Sequence, residues 1–315
     1  MHLDFFVVVT NLISLFSIIA VGYVAACSGV VGENASAVFS SLLMKVTLPC
    51  TIFISLVQKD YDPAFIHDSL IIFFAGLVVF GGLMYLSRYV AILFRVPEGT
   101  RGVWAFAAAY TNSGFMGFPV ALALLGPEGL ALSVVLNIAF NVTIYTVGIL
   151  ELLRDNPGHE GEKINIKQII FSNINIATVL SLIFYFGRIS LSQSLATPIN
   201  YISGITTPLS MMIIGIVLAH SRGREVFTDK HAWSCTFMSL IVYPVALCLL
   251  LKIFPLSSNP FVDAVLILIV AMPAASVTAV LCETYHGNIQ FAAKVLFIQN
   301  LLSILTIPLI CMLIS

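Results

Sequence analysis

Charge is what this sequence has least of. Asp, Glu, Lys and Arg make up 9% of the 315 residues, against 59% hydrophobic, and the mean hydropathy is +1.05. A soluble domain carries charge on about a quarter of its residues, so a water-soluble globule is excluded. The net charge is −1 and no basic tail is present, which removes nucleic acid as a partner and electrostatic anchoring as a membrane mode. There is no CxxC: Cys27, Cys50, Cys235, Cys248, Cys282 and Cys311 stand singly in or beside apolar runs and are expected to be reduced core residues. HExxH is missing too, and His2, His67, His159, His220, His231 and His286 fall at the ends of apolar runs or between them, so no metal cluster is expected. No Asp and no His lies at the middle of an apolar run, which leaves an intramembrane enzyme without an acid–base pair. The first apolar run has no positively charged leader and extends over 23 residues, longer than a signal-peptide core, so it is expected to stay in the mature protein.

What is present is a series of membrane-length apolar runs. Windows of about twenty residues predict ten helical spans, at 5–27, 34–58, 66–94, 103–125, 129–153, 167–187, 196–219, 231–254, 261–285 and 289–313. The expected fold class is an all-α polytopic membrane protein. Most connections are short and rich in turn residues, such as Gly126-Pro127-Glu128 and Tyr285-His286-Gly287-Asn288. The exception is a polar loop over 154–166, too short to be a domain. One set of loops holds Arg95, Arg101, Arg154, Lys163, Lys167, Arg222, Arg224 and Lys230, the other Lys59, Arg188 and Lys252. The positive-inside rule then puts both termini outside the cell membrane.

A shift of 159 or 160 residues lays the first five spans on the last five. Thr47, Pro49 and Thr51 land on Thr206, Pro208 and Ser210, and Val135, Leu136 and Ile138 on Val295, Leu296 and Ile298. Five is odd, so the halves 1–153 and 167–315 enter the membrane in opposite directions, the inverted-repeat plan of many secondary transporters.

Two spans contain residues that spoil a helix at its midpoint. In the fourth, Asn112 to Pro119 reads Asn-Ser-Gly-Phe-Met-Gly-Phe-Pro; in the ninth, the equivalent stretch is Met272-Pro273-Ala274-Ala275-Ser276. Glycine removes restraint, proline removes a donor, and Asn-Ser bonds locally to backbone. Unpaired backbone is not tolerated against lipid, so such breaks belong in protein or a small wet cavity. Each second half would aim its N-terminus, roughly half a positive charge, at the membrane centre from opposite sides. That makes an anion site without any Lys or Arg.

The candidate substrate-binding residues are therefore Asn112, Ser113, Gly114, Phe115 and Gly117 at the first break and Pro273, Ala274, Ala275 and Ser276 at the second. Asn137 and Asn141 in the fifth span and Gln299 and Asn300 in the tenth add amides at nearly equivalent height, and Thr51 a hydroxyl. These side chains either contact the anion or cap the breaks and bond neighbouring helices. No cofactor is expected. A coupling ion, Na⁺ on amide and freed carbonyl oxygens or H⁺ on Glu283, remains open, with a solvated helix end as the other reading of Glu283. Lys45 either meets a second carboxylate or snorkels to the headgroups.

Thr47-Leu48-Pro49, Asn112 to Pro119, Thr207-Pro208-Leu209 with Ile214-Gly215, and Met272 to Ser276, in this order and spacing, resemble the auxin efflux carrier family, which includes plant PIN carriers and bacterial malate or malonate permeases. The resemblance implies an elevator transporter of small organic anions. Spans one, two, six and seven would form a scaffold, commonly dimeric, and spans three to five and eight to ten the moving unit. The short central loop resembles the bacterial permeases rather than the plant carriers. A sodium-coupled bile-acid-type symporter and a non-transporting membrane sensor are the alternatives of similar plan.

Overall fold

In the computed structural model, residues 5–32, 34–155, 172–220 and 227–314 are described, and among them the chain is helical, with no strand. The loop 154–166 beyond Asp155, the first residues of the expected sixth span, and Lys163, Lys167, Arg222 and Arg224 lie outside the described residues. In the first half, α1 is Phe5–Cys27, α2 Ala35–Leu42, α3 Leu48–Val57, α4 Pro63–Leu93, α5 Arg101–Ala109, α6 Phe118–Thr143 and α7 Ile149–Arg154. In the second, α8 is Asn173–Phe186, α9 Gln193–Gly204, α10 Thr206–His220, α11 Lys230–Phe237, α12 Tyr243–Ile253, α13 Pro260–Val270, α14 Val277–Thr284 and α15 Ile289–Ile314.

Among the described residues, seven helical runs are long and apolar enough to cross a membrane: Thr10–Cys27, Ala35–Val57, Pro63–Leu93, Ser113–Arg154, Gln193–Ala219, Lys230–Ile253 and Ile289–Ile314. Two shorter apolar helices, Asn173–Phe186 and Pro260–Val270, accompany them. The count differs from ten where chain geometry intervenes. Ser113–Arg154 runs over 42 residues without an intervening loop, about 63 Å at 1.5 Å per residue and twice the hydrocarbon thickness. Gly126 interrupts it at φ 69°, ψ −164°, a conformation open to glycine, and Pro127 follows. The turn expected at Gly126-Pro127-Glu128 is therefore present.

Helix starts follow the local chemistry. Asp62 accepts from Ala64 N–H ahead of Pro63, and Asn259 from Phe261 N–H ahead of Pro260. Each supplies an acceptor to an orphan donor, and the proline occupies a first-turn position that needs no N–H.

Among the described residues four π-helical turns, at Leu43–Thr47, Ser113–Gly117, Ile144–Gly148 and Met238–Val242, were not foreseen. Three precede a proline by two residues: Pro49, Pro119 and Pro244. A proline ring collides with the carbonyl four residues back and offers it no donor; one extra residue in the turn makes room. The Lys45 carbonyl that Pro49 frees accepts from Asn173 Nδ2 on α8 at 3.1 Å.

The first halves of the two broken helices are wrapped by protein. Gly102 to Ala109 on α5 are all buried, as are Val262 and Ala264 to Val270 on α13. Helices apolar all round belong in an interior. Around α5 stands an aromatic cluster: Phe80, Phe106, Tyr110 and Phe140, with centroids 4.9 Å apart for Phe106–Tyr110 and 5.3 Å for Phe80–Phe140. Tyr110 donates its hydroxyl to the Thr143 carbonyl at 2.8 Å, which fixes the residue where α5 stops.

The ion pairs that tie one helix to another lie toward helix ends. Arg88 pairs with Glu151 at 2.6 Å and Asp155 at 3.3 Å, tying α4 to the end of α7, and Lys294 pairs with Asp229 at 3.2 Å. The cysteines are free thiols; Cys235, Cys248, Cys282 and Cys311 are buried as core residues, whereas Cys27 is exposed and Cys50 half-buried, so the expected core placement does not hold for those two.

Candidate functional site

α5 ends at Ala109. Tyr110 turns extended (φ −103°, ψ 117°), Asn112 sits at φ −77°, ψ 67°, and helix resumes at Ser113. On the other side α13 ends at Val270 and helix resumes at Val277. Both expected breaks are present, and they meet. Thr111 and Ala274 form an antiparallel bridge, in which Asn112 N–H donates to Pro273 O at 2.6 Å and Ala275 N–H to Tyr110 O at 2.9 Å.

A break inside a membrane protein has to account for each polar group it exposes. Pro273 cannot donate to the Ile269 carbonyl four residues back, and Thr111 Oγ1 does so instead at 2.6 Å. Ala274 N–H donates to Gln299 Oε1 at 2.6 Å, and Gln299 is held by Ser239 Oγ at 3.5 Å and Cys235 Sγ at 3.8 Å. Asn112 Oδ1 accepts from Phe115 N–H at 3.1 Å, capping the second half of its own span, while its Nδ2 donates to Ser276 Oγ at 3.1 Å. Ser113 Oγ donates to Asn137 Oδ1 at 2.9 Å. Asn112 O accepts from Gly117 N–H at 2.9 Å, closing the π-helical turn.

What remains is a short inventory. The first-turn N–H groups of Gly114, Ser276 and Val277 enter none of these contacts, and the Ser276 hydroxyl enters only as acceptor from Asn112. These groups also lie at the accessible edge: Ser276 is exposed and Gly114 and Phe115 half-buried, whereas Thr111, Asn112, Ser113, Ala274 and Ala275 are buried. None of the ion pairs among the described residues involves the crossing. The local field is therefore that of two helix N-termini facing each other, positive without a cation.

The four span-five and span-ten amides divide. Asn137 and Gln299 reach the crossing, but as supports whose oxygens are already engaged. Asn141 Nδ2 donates instead to Asn175 Oδ1 on α8 at 3.2 Å, and Asn300 Nδ2 turns back to Leu296 O at 2.7 Å, leaving its buried Oδ1 without a partner. Thr51 sits in a hydroxyl cluster away from these contacts, 2.7 Å from Thr206 Oγ1 and 3.0 Å from Ser203 Oγ. Lys45 and Glu283 are exposed. Thr111 was missed by the sequence reading. Its signal was available: the Ile269 carbonyl, to which Pro273 cannot donate, keeps only the Met272 N–H at 3.2 Å from its own chain segment and has room for a hydroxyl.

The membrane transport protein family, the family of the auxin efflux carriers, matches residues 7–311. The chain belongs to this family. An uncharacterized transporter of Methanothermobacter thermautotrophicus is 26% identical over 303 residues, covering 95% of this chain and 96% of the relative. One from Methanocaldococcus jannaschii is 27% identical over 299 residues, 93% and 94% of the two chains. The uncharacterized transporter YfdV of Escherichia coli is 24% identical over 307 residues, 95% of each. Family membership makes this a multi-pass membrane transporter, and the matches run nearly from end to end of the chain.

Proposed function

We propose that the protein carries a small organic carboxylate, malate- or malonate-like or auxin-like, across the cell membrane by elevator-type alternating access. The observation that carries this reading is the crossing itself, where the N–H groups of Gly114, Ser276 and Val277 and the Ser276 hydroxyl are left over once the surrounding polar groups are paired. Each helix N-terminus contributes about 0.3 to 1 kcal/mol toward an anion, up to about 2 when partly buried. Two together reach about 4 kcal/mol, a millimolar dissociation constant, and further hydroxyl and amide bonds tighten it. Loose binding of this order suits a carrier that must release its cargo.

In this reading the chain makes ten spans as a 5+5 inverted repeat, with both termini outside. Gly126 divides Ser113–Arg154 into parts of two spans, while α5 with the stretch after Ser113, and α13 with α14, are the two broken ones. α1, α2–α3, α8 and α9–α10 form a scaffold that pairs as a homodimer, and the remaining helices move with the substrate. The side-chain hydrogen bonds Asn11 Nδ2 to Ala123 O, at 2.6 Å, Asn141 to Asn175, and Asp62 N–H to the Tyr185 hydroxyl, at 3.0 Å, join the two groups of helices. All three are between neutral groups, which favours sliding.

The test is uptake of labelled malate, malonate and an indole carboxylate into proteoliposomes, with and without Na⁺ and a pH gradient. Saturable movement of a carboxylate is expected. No movement of any of them refutes the substrate class, and strict Na⁺ dependence would favour the bile-acid-type alternative.

A further inference from the structure

A groove of about 540 Å³ runs between α4 and α12, lined by His67, Phe74 and Val78 on one side and Leu247, Leu250 and Leu251 on the other. Its lining on α4 begins at His67 and ends at Val79, twelve residue steps and about 18 Å of helix rise. Half the hydrocarbon core of a bilayer is about 15 Å. The groove thus starts one turn inside the Pro63 end of α4 and stops near mid-membrane. Its closed end has a physical cause: deeper along α4, Phe80 and Met84 are fully buried, and Ser87 Oγ donates to Tyr243 Oη at 2.9 Å, so the helices touch there and splay apart above.

Both walls carry side chains that would face lipid. Phe74 is 60% exposed, Val78 73% and Leu250 53%. Leu251 also lines a second hollow of about 210 Å³ at the Ile253 end of α12, together with Lys252, Asp263 and Pro260. Lys252 is exposed and enters no ion pair among the described residues, whereas one Asp263 oxygen is engaged by the Leu256 N–H at 3.1 Å. His67 is likewise exposed, its Nδ1 3.8 Å from Asp68. An apolar slot one leaflet deep, meeting at Leu251 a hollow that holds the exposed Lys252, has the length and polarity of one phospholipid acyl chain with a cation within reach of its headgroup.

We propose that this wedge is a retained phospholipid site, with one acyl chain lying between α4 and α12 and the phosphate against Lys252. The chain would fill the space that the splayed helices leave, joining a helix of the first half to one of the second. The phosphate would sit at headgroup depth, where a long basic side chain reaches it without burying its charge.

The experiment is native mass spectrometry of the full-length protein released from bilayers of phosphatidylethanolamine and phosphatidylglycerol, read as phospholipid adducts per chain after detergent exchange. One adduct per chain is expected. Val78→Trp, which fills the groove from an exposed position, is expected to lower its occupancy about tenfold. Lys252→Gln is expected to lower it severalfold, and Val280→Trp, at an exposed valine on α14 outside the groove, to leave it unchanged. No retained phospholipid in the unsubstituted protein, the same occupancy in Val78→Trp, or an equal loss in Val280→Trp would overturn the assignment. Adduct masses are read without any transport assay, so the result stands apart from the substrate reading.

Discussion

Replacing Asn112 by Ala removes one side chain that does two jobs. Its Oδ1 caps the helix restarting at Ser113 through the Phe115 N–H at 3.1 Å, and its Nδ2 holds Ser276 Oγ at 3.1 Å on the opposite break. Loss of an N-cap acceptor costs about 0.5 to 2 kcal/mol, and an inter-helix hydrogen bond in a membrane protein averages about 0.6 kcal/mol. Asn112 is 4% exposed, so water does not replace either bond fully, and the summed destabilisation should be about 1 to 2.5 kcal/mol. Function should suffer separately, because Ser276 then loses the bond that orients it. Weakening one N-terminus by about 0.3 to 2 kcal/mol lowers carboxylate affinity about two- to thirtyfold. Asn112→Ser separates the two jobs: its hydroxyl caps almost as well as an amide but is too short to span to Ser276. Reversible unfolding in mixed micelles should therefore recover most of the stability in the Ser variant, while proteoliposome uptake still shows the raised KM. If the Ala variant matches the unsubstituted protein in both unfolding and KM, the two breaks are not coupled through Asn112 and the reasoning fails.

Three further outcomes test other parts of the structure. A Cβ on Gly215 would overlap the Ile19 carbonyl oxygen of α1, and one on Gly22 the Met212 carbonyl oxygen of α10; Gly215→Ala should force the helices apart and destabilise by about 1 to 3 kcal/mol, read by the same unfolding assay. Asn141→Ala cuts the 3.2 Å bond to Asn175, and a loss of about 0.6 kcal/mol should shift the resting balance between facing states about threefold, measured by labelling single cysteines from either side. For Asp229, burial pushes the carboxyl up, but Lys294 and the His231 and Ala232 N–H groups outweigh it and hold it below the ordinary carboxylate value. A carboxyl depressed on folding adds stability above its unfolded value and loses it as pH falls through the folded one, so Asp229→Asn should flatten the acid limb of an unfolding profile below about pH 4.

Particular residues explain how much of this was legible. Pro273 and the run Asn112 to Pro119 announced both breaks, because a missing donor or a missing side chain is a property of the residue itself. Asp62-Pro63 and Asn259-Pro260 mark helix starts for the same reason. The π-helical turns before Pro49, Pro119 and Pro244 were not read, since relief of a proline clash has several solutions and packing selects one. Gln299 was picked out as an amide near the crossing, yet its engagement by Ala274 N–H depends on α15 lying beside α13, which no spacing within either segment reveals.

The sequence by itself determined the medium and the defects. A chain with so few charges must satisfy its backbone within helices, and it states in glycine and proline where those helices cannot continue. Only the tertiary structure decided what each defect meets: Thr111 under the Ile269 carbonyl, Gln299 on Ala274, Asn112 on Ser276, all across 25 to 164 residues of chain. The physical reason is that an unpaired donor or acceptor is written locally, whereas its partner is whatever polar group the packing of distant helices brings within three ångströms.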